Sequence, residues 1–133
     1  MRGILFRGKR INDGKWVYGD YCSLPFNPYI LYEDNDGGLV KANINVMTLG
    51  QYTGLTDKND RKIFEGDILD GEDYNSEDGF GVVQWDEDNA CFECVQNDGL
   101  STMIRTDFGW LDSKAFIVIG NIHDNPELLK DEV

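Results

Sequence analysis

The amino-acid sequence predicts a mainly β fold, in one domain of 133 residues, with a short helix at the C-terminal end. Fifteen glycines stand against three prolines, which favours tight turns between short strands over long helices. Apolar and polar residues alternate in several short runs, the spacing of a half-buried strand. Only the segment from Asn125 resembles a helix start, because Asn125 can cap and Pro126 suits the first helical position.

In the first half, short extended runs are separated by turn residues. Residues 3–7 and 15–21 are predicted to form a hairpin, because Asn-Asp-Gly at 12–14 is a strong turn signal. Further strands are predicted at residues 29–32 and 39–46, on either side of a polar turn. The N-terminal half is therefore expected to be a β-hairpin region.

The second half continues the pattern. The segment 49–69 is predicted to be a strand at 49–55, a turn at 56–62 and a strand at 63–69, and an acidic loop is expected at residues 70–79. A hairpin follows from strands at residues 81–85 and 90–96. The apolar, β-branched run at 115–119 predicts a buried strand.

The charge is strongly negative and unevenly distributed. The chain has 25 acids against 12 bases, a formal net charge of −13, and no Lys or Arg between Lys62 and Arg105. A negative field repels phosphate backbones and anionic lipids, so the composition disfavours nucleic-acid and membrane-surface partners. The first fifteen residues are the exception, and they could form a basic patch with Arg2, Arg7, Lys9, Arg10 and Lys15 against the single acid Asp13.

The sequence indicates a cytoplasmic protein. It contains no apolar run long enough to span a membrane, and its N-terminus lacks the features of a signal peptide. Three cysteines, an odd number, fit a reducing compartment better than a disulfide framework.

The candidate metal and catalytic residues form no convincing site. Cys91 and Cys94, with Cys22 and His123, would make a three-cysteine, one-histidine set of the type that zinc accepts. However, a strand over residues 90–96 points Cys91 and Cys94 to opposite faces, so buried structural cysteines are the better interpretation. His123 lies next to Asp124, but no nucleophile is singled out to use them as a base. We therefore expect no metal, no cofactor and no catalytic residues.

Three segments of the chain closely resemble the YopX family, small proteins encoded in bacteriophages and prophages. The centre reads Gln-Tyr-Thr-Gly-Leu-Thr-Asp-Lys-Asn at 51–59, followed by Lys-Ile-Phe-Glu-Gly-Asp-Ile at 62–68. The tail at 118–128 and the opening, with Phe-Arg at 6–7 and Trp-Val-Tyr-Gly at 16–19, also fit. The resemblance implies a β-rich fold with a small SH3-like barrel over residues 49–133, beside an N-terminal β region at 1–48. It implies no enzymatic activity.

The motif residues are expected to have structural roles, since turn chemistry explains most of their types. The alternative is a ligand or partner surface formed by Tyr52, Lys58 and Asn59. The pair Asn59-Asp60 stands where the family favours Asn-Gly, and aspartate tolerates the required positive φ at a modest cost. The motif residues are Gly50, Gln51, Tyr52, Thr53, Gly54, Leu55, Asp57, Lys58, Asn59, Phe64, Glu65, Gly66, Asp67, Gly120, Asn121, His123 and Asp124.

Taken together, the sequence predicts a non-enzymatic phage or prophage accessory protein that binds a host or phage protein, or itself as a homo-oligomer. Three alternatives remain open at this point, and one of them is an enzyme of unrecognised type. The acidic stretch 65–98 could imitate DNA and occupy a host nucleic-acid enzyme, or it could be only a solvated surface. The basic N-terminal segment, with Trp16 and Tyr18, could bind nucleic acid directly.

Overall fold

In a computed structural model, the chain is built almost entirely of antiparallel β-strands, which confirms the predicted mainly β class. The structure describes residues 3–23, 27–71, 80–96, 101–102 and 113–129. Most of the predicted acidic loop at 70–79 and the predicted turn at 97–99 lie outside these residues. No helix in the described ranges is long and apolar enough to cross a membrane.

The chain divides into two compact units, Met1–Tyr52 and Thr53–Val133. The division falls four residues beyond the subdivision at 48/49 that the family resemblance suggested. It lies inside a single long strand, so no linker separates the two units.

Unit 1 (residues 1–52) is a ring of four antiparallel strands. These are β1 (Phe6–Arg10), β2 (Trp16–Cys22), β3 (Tyr29–Glu33) and β4 (Leu39–Thr56), the last of which continues into unit 2. Each strand pairs with the next, and β4 pairs back onto β1. The predicted N-terminal hairpin is confirmed as β1–β2. The strands predicted separately at 39–46 and 49–55 are one strand.

The core of unit 1 follows from the alternation of each strand. The inward side chains Val17, Ile30, Ala42 and Ile44 are buried, as expected for strands with one face in a ring. Gly19 allows close approach of β2 and β3, because a Cβ there would lie 2.2 Å from the Leu31 carbonyl oxygen. The partly buried residues around this core are Phe6, Tyr21, Tyr32 and Leu49.

Unit 2 (residues 53–133) contains a second antiparallel sheet, with the strand order β10-β6-β7-β8-β9. A further short strand, β5, pairs with the end of β4. The strands are β5 (Lys62–Phe64), β6 (Asp67–Gly71), β7 (Phe80–Asp86), β8 (Cys91–Gln96), β9 (Ser101–Thr102) and β10 (Phe116–Asn121). The buried core residues are Ile63, Leu69, Val83, Cys94, Phe116 and Val118.

Two details of the sequence prediction need correction in unit 2. The strand predicted at 63–69 is broken at Glu65 and Gly66 into β5 and β6, since Gly66 has a φ of 88° that ends the extended run. The C-terminal helix does begin at Pro126, but it is a 3₁₀ helix, Pro126–Leu129. The Asn125 side chain does not cap it, because its oxygen accepts the Asn121 N–H instead.

The SH3-like barrel remains a prediction. Among the described residues, ring closure occurs in unit 1 rather than in residues 49–133. A 3₁₀ helix, Ser113–Ala115, precedes β10.

Candidate functional site

The carboxylate of Asp57 joins the central motif turn to strand β10. Asp57 is fully buried. One oxygen accepts the backbone N–H groups of Asn59 and Arg61 at 2.8 and 2.9 Å, and the other accepts the Val118 N–H at 2.9 Å. Burial alone would raise the pKa of Asp57, but these three hydrogen bonds and the Arg61 charge outweigh it and lower the pKa. Asp57 is therefore an ionised structural anchor.

The same turn covers an edge of the second sheet. The Lys58 N–H donates to the Phe116 carbonyl at 2.9 Å, so β10 has a backbone partner besides β6. Asp60 has the positive φ, 61°, that the sequence predicted, whereas Asn59, for which an Asn-Gly type of turn also requires a positive φ, does not have one. The Lys114 ammonium contacts Asp60 at 2.5 Å and the Thr56 hydroxyl at 2.7 Å. Covering an edge strand in this way prevents unwanted strand pairing.

Other motif side chains also hydrogen-bond to backbone groups. The Thr53 hydroxyl donates to the Ile63 carbonyl at 2.9 Å and accepts the Leu55 N–H at 3.2 Å. The buried Asp67 carboxylate accepts the Phe64 N–H at 2.8 Å, across the break between β5 and β6. Such bonds satisfy buried backbone donors and acceptors where the strands are interrupted.

His123 and Asp124 lie in the turn that follows β10. The Asn121 side-chain oxygen accepts both of their backbone N–H groups, at 3.0 and 2.9 Å, and its amide donates to the Asp124 carboxylate at 3.1 Å. Gly120 makes room for Asn125, because a Cβ there would lie 2.5 Å from the Asn125 side-chain oxygen.

The residues considered as a partner surface lie in different units. Tyr52 belongs to unit 1, where its N–H donates to the Leu5 carbonyl at 2.8 Å, together with Gly50 and Gln51 opposite β1. Lys58 and Asn59 belong to unit 2.

Both cysteines of β8 are buried, and the pKa of one of them, Cys94, makes it a poor nucleophile. Cys91 and Cys94 are both buried, and the Cys94 sulfur occupies the space beside Gly81. Burial, with a smaller contribution from the Glu93 charge, raises the pKa of Cys94 to about 12. A thiolate is therefore strongly disfavoured at neutral pH. Within the described ranges, no group of three or more His, Cys, Asp or Glu side chains could hold a metal ion.

Strand β4 contains a bulge that was not predicted from the sequence. The register moves from Arg7 opposite Gly50 to Lys9 opposite Asn45. Over this interval β1 advances by two residues and β4 by five, so three residues of β4 have no counterpart. We call residues 45–48 the β4 bulge. The sequence did contain a signal for the bulge: residues 46 and 47 are both apolar and so interrupt the alternation of the strand.

The β4 bulge exposes large apolar side chains. Val46 is 48% exposed and Met47 79% exposed. Ile11 is also exposed, and its N–H donates to the carbonyl of Asn43, two residues before the bulge begins. Apolar side chains stabilise a fold only when they are buried, so the exposure of these residues is not explained by stability. An exposed apolar surface of this kind is a candidate binding site.

Hydrogen bonds from two polar side chains hold the bulge in place. The Asn45 side-chain oxygen accepts the Met47 N–H at 3.1 Å. The Thr48 hydroxyl donates to the Asn45 carbonyl at 2.6 Å and accepts the Lys9 N–H at 2.8 Å, which ties the bulge to β1. Met47 is therefore presented on a constrained backbone.

The basic and aromatic residues of β1 and β2 contact one another. The Arg7 guanidinium lies 4.6 Å from the centroid of the Trp16 ring, and the Lys9 ammonium 5.5 Å from it. These are cation–π distances. Tyr18, on the same side of β2, is exposed.

The tip of the β7–β8 hairpin presents an exposed tryptophan among acidic residues. Trp85 is 44% exposed. Its ring packs edge-on against Phe92, with the ring centroids 5.0 Å apart and an angle of 73° between the ring planes. The Asp86 carboxylate accepts the Asp88 N–H at 3.0 Å and the Asn89 side-chain amide at 2.7 Å. We call residues 85–89 the acidic hairpin tip.

Comparison with known proteins identifies the family. The family described as YopX protein matches residues 5–130. The chain belongs to the YopX family. A search of curated proteins found no match. The crystal structure of protein EF1440 from Enterococcus faecalis is similar with a TM-score of 0.55 and 20% sequence identity, covering 98% of this chain and 100% of that one. At this identity the likeness concerns the fold alone.

Proposed function

We propose that this YopX-family protein is a non-enzymatic protein-binding module, encoded by a phage or prophage and acting in the cytoplasm of the bacterial host. The observation that carries the proposal is the β4 bulge, whose backbone is hydrogen-bonded in place while Val46 and Met47 point into water. Bulges frequently occur where a strand redirects a side chain for binding.

A constrained apolar pair suits protein recognition. Ordering a flexible loop on binding costs free energy, and a bulge that is already ordered avoids most of that cost. Methionine adapts its shape to different apolar surfaces and is common at such sites.

The charge around the bulge selects the partner. Lys9 lies opposite Asn45 at the edge of the bulge, where it supplies a positive charge. We therefore propose a partner whose surface combines an apolar or aromatic side chain with acidic residues. Charge of this kind contributes mainly to specificity and association rate.

The nucleic-acid and DNA-mimic alternatives receive less support. The Arg7 guanidinium already lies 4.6 Å from the centroid of the Trp16 ring on which a base would stack. Within the acidic stretch 65–98, Asp67 and Glu93 are buried and could not contribute to a DNA-like surface.

The proposal is tested by affinity capture of host proteins with the tagged chain, comparing wild type with Met47→Asp. We expect one or more acidic proteins to be recovered by the wild type and reduced at least tenfold by Met47→Asp. Leu39→Asp is the matched control, because Leu39 is 76% exposed on the same strand but opposite Glu33, outside the bulge. Equal recovery by wild type and Met47→Asp would refute a binding role for the bulge.

A further inference from the structure

The charge of the chain is divided between its two units. Residues 1–52 carry six Lys and Arg against five Asp and Glu, whereas residues 53–133 carry six against twenty. Unit 1 is thus almost neutral with a basic N-terminal segment, and unit 2 is strongly acidic. The basic N-terminal segment of one copy can therefore attract the acidic unit 2 of another.

The acidic hairpin tip has the chemistry expected of a partner for the β4 bulge. Trp85 supplies an aromatic side chain held against Phe92, and Glu87 and Asp88 are exposed beside it. Strands β7 and β8 and their turn contain no Lys or Arg. Tryptophan is enriched among the residues that dominate binding energy at interfaces.

The β4 bulge offers the complementary features. Met47 and Val46 provide an exposed apolar contact, and a methionine thioether packs favourably against an aromatic ring. Lys9 provides positive charge at the edge of the bulge. Each surface is formed entirely within one unit, so neither depends on the other to be built.

We propose that the acidic hairpin tip of one copy docks on the β4 bulge of a second copy. This inference rests on the proposed function and names its partner as the chain itself. The contact joins two different surfaces, so it is heterologous, and repetition gives either a ring or an open chain of subunits. Because the surfaces are small and partly charged, the association is weak and sensitive to salt.

Sedimentation velocity of the full chain over a range of concentrations tests the proposal. At low salt we expect the weight-average sedimentation coefficient to rise with concentration, and at about 0.5 M salt to return towards the monomer value. Met47→Asp and the double variant Glu87→Lys with Asp88→Lys should each weaken association at least tenfold. The double variant leaves the Trp85–Phe92 contact intact, and Leu39→Asp should associate like the wild type.

Mixing two variants distinguishes a heterologous contact from any other. Met47→Asp retains the acidic hairpin tip, and Glu87→Lys with Asp88→Lys retains the bulge, so an equimolar mixture should form a heterodimer although neither variant self-associates. Failure of the mixture to form the heterodimer, or self-association that survives Met47→Asp, would overturn the proposal.

The experiments distinguish a failure of self-docking from a failure of the proposed function. A monomeric wild type that still captures an acidic host protein through Met47 would overturn self-docking and keep the proposed function. Self-association that is unaffected by Met47→Asp, together with unchanged host capture, would overturn both.

Discussion

At the scale of single residues, Asp57 shows how a motif position acts through backbone groups. Its charge is buried and is compensated by three N–H donors from two separate segments of unit 2. The sequence marked Asp57 as a turn residue, because aspartate commonly bonds the backbone two residues ahead. The bond to Val118, 61 residues away, could not be predicted, since nothing local to the turn specifies which strand lies beside it.

Replacement of Asp57 by asparagine should destabilise the protein. The amide group presents a donor where the carboxylate presented an acceptor, so at least one buried N–H loses its partner. We expect a loss of about 3 kcal/mol in the free energy of unfolding. Urea unfolding followed by circular dichroism measures this loss. Asp60→Asn, at an exposed position of the same turn, is the control. An equal effect of the two variants would contradict the anchoring role.

The lowered pKa of Asp57 also predicts an acid-sensitive contribution to stability. The folded pKa lies below the unfolded value, about 3.9. The contribution is therefore fully present above that value and is lost as pH falls through the folded pKa. We expect the stability difference between wild type and Asp57→Asn to be constant from pH 5.5 to 7 and smaller at pH 3. Urea unfolding at these three pH values checks the trend, and a difference that grew on acidification would show that the sign is wrong.

At the scale of elements, the β4 bulge changes the register between β1 and the 18-residue strand β4. In a regular strand of 18 residues, the pairing with β1 would continue without a shift. Here β4 has three more residues than β1 between two paired positions, so Val46 and Met47 have no partner on β1. Sequence alternation predicted the two halves of β4 but not their continuity. Bulges interrupt the periodicity on which such a prediction relies.

Thr48→Val should loosen the β4 bulge while preserving the shape of the side chain. The substitution removes the hydroxyl that accepts the Lys9 N–H and donates to the Asn45 carbonyl. We expect a loss of about 2 kcal/mol in the free energy of unfolding. Faster amide hydrogen exchange at Lys9 and Met47 than in the wild type would show local loosening. Exchange that is unchanged at both amides would indicate that Thr48 does not hold the bulge.

At the scale of the whole molecule, the acidic charge of unit 2 lowers the stability of the folded state. Twenty acids against six bases repel one another in the folded state, and this repulsion is screened by salt. We expect the melting temperature to rise by about 5 °C, which corresponds to roughly 1 kcal/mol, between 0.01 and 0.2 M NaCl. Thermal denaturation followed by circular dichroism at both salt concentrations measures the shift. A melting temperature that falls with salt would mean that attractive pairs dominate.

The sequence alone determined the mainly β class, most strand positions, the hairpin turns and the family, because periodicity, turn residues and motifs are local features of the chain. The tertiary structure decided three further features. β4 pairs back onto β1 to close a ring, Glu65 and Gly66 divide the strand predicted at 63–69, and the β4 bulge turns Met47 outward. Each depends on which strands become neighbours and in what register, and those pairings join residues far apart in sequence.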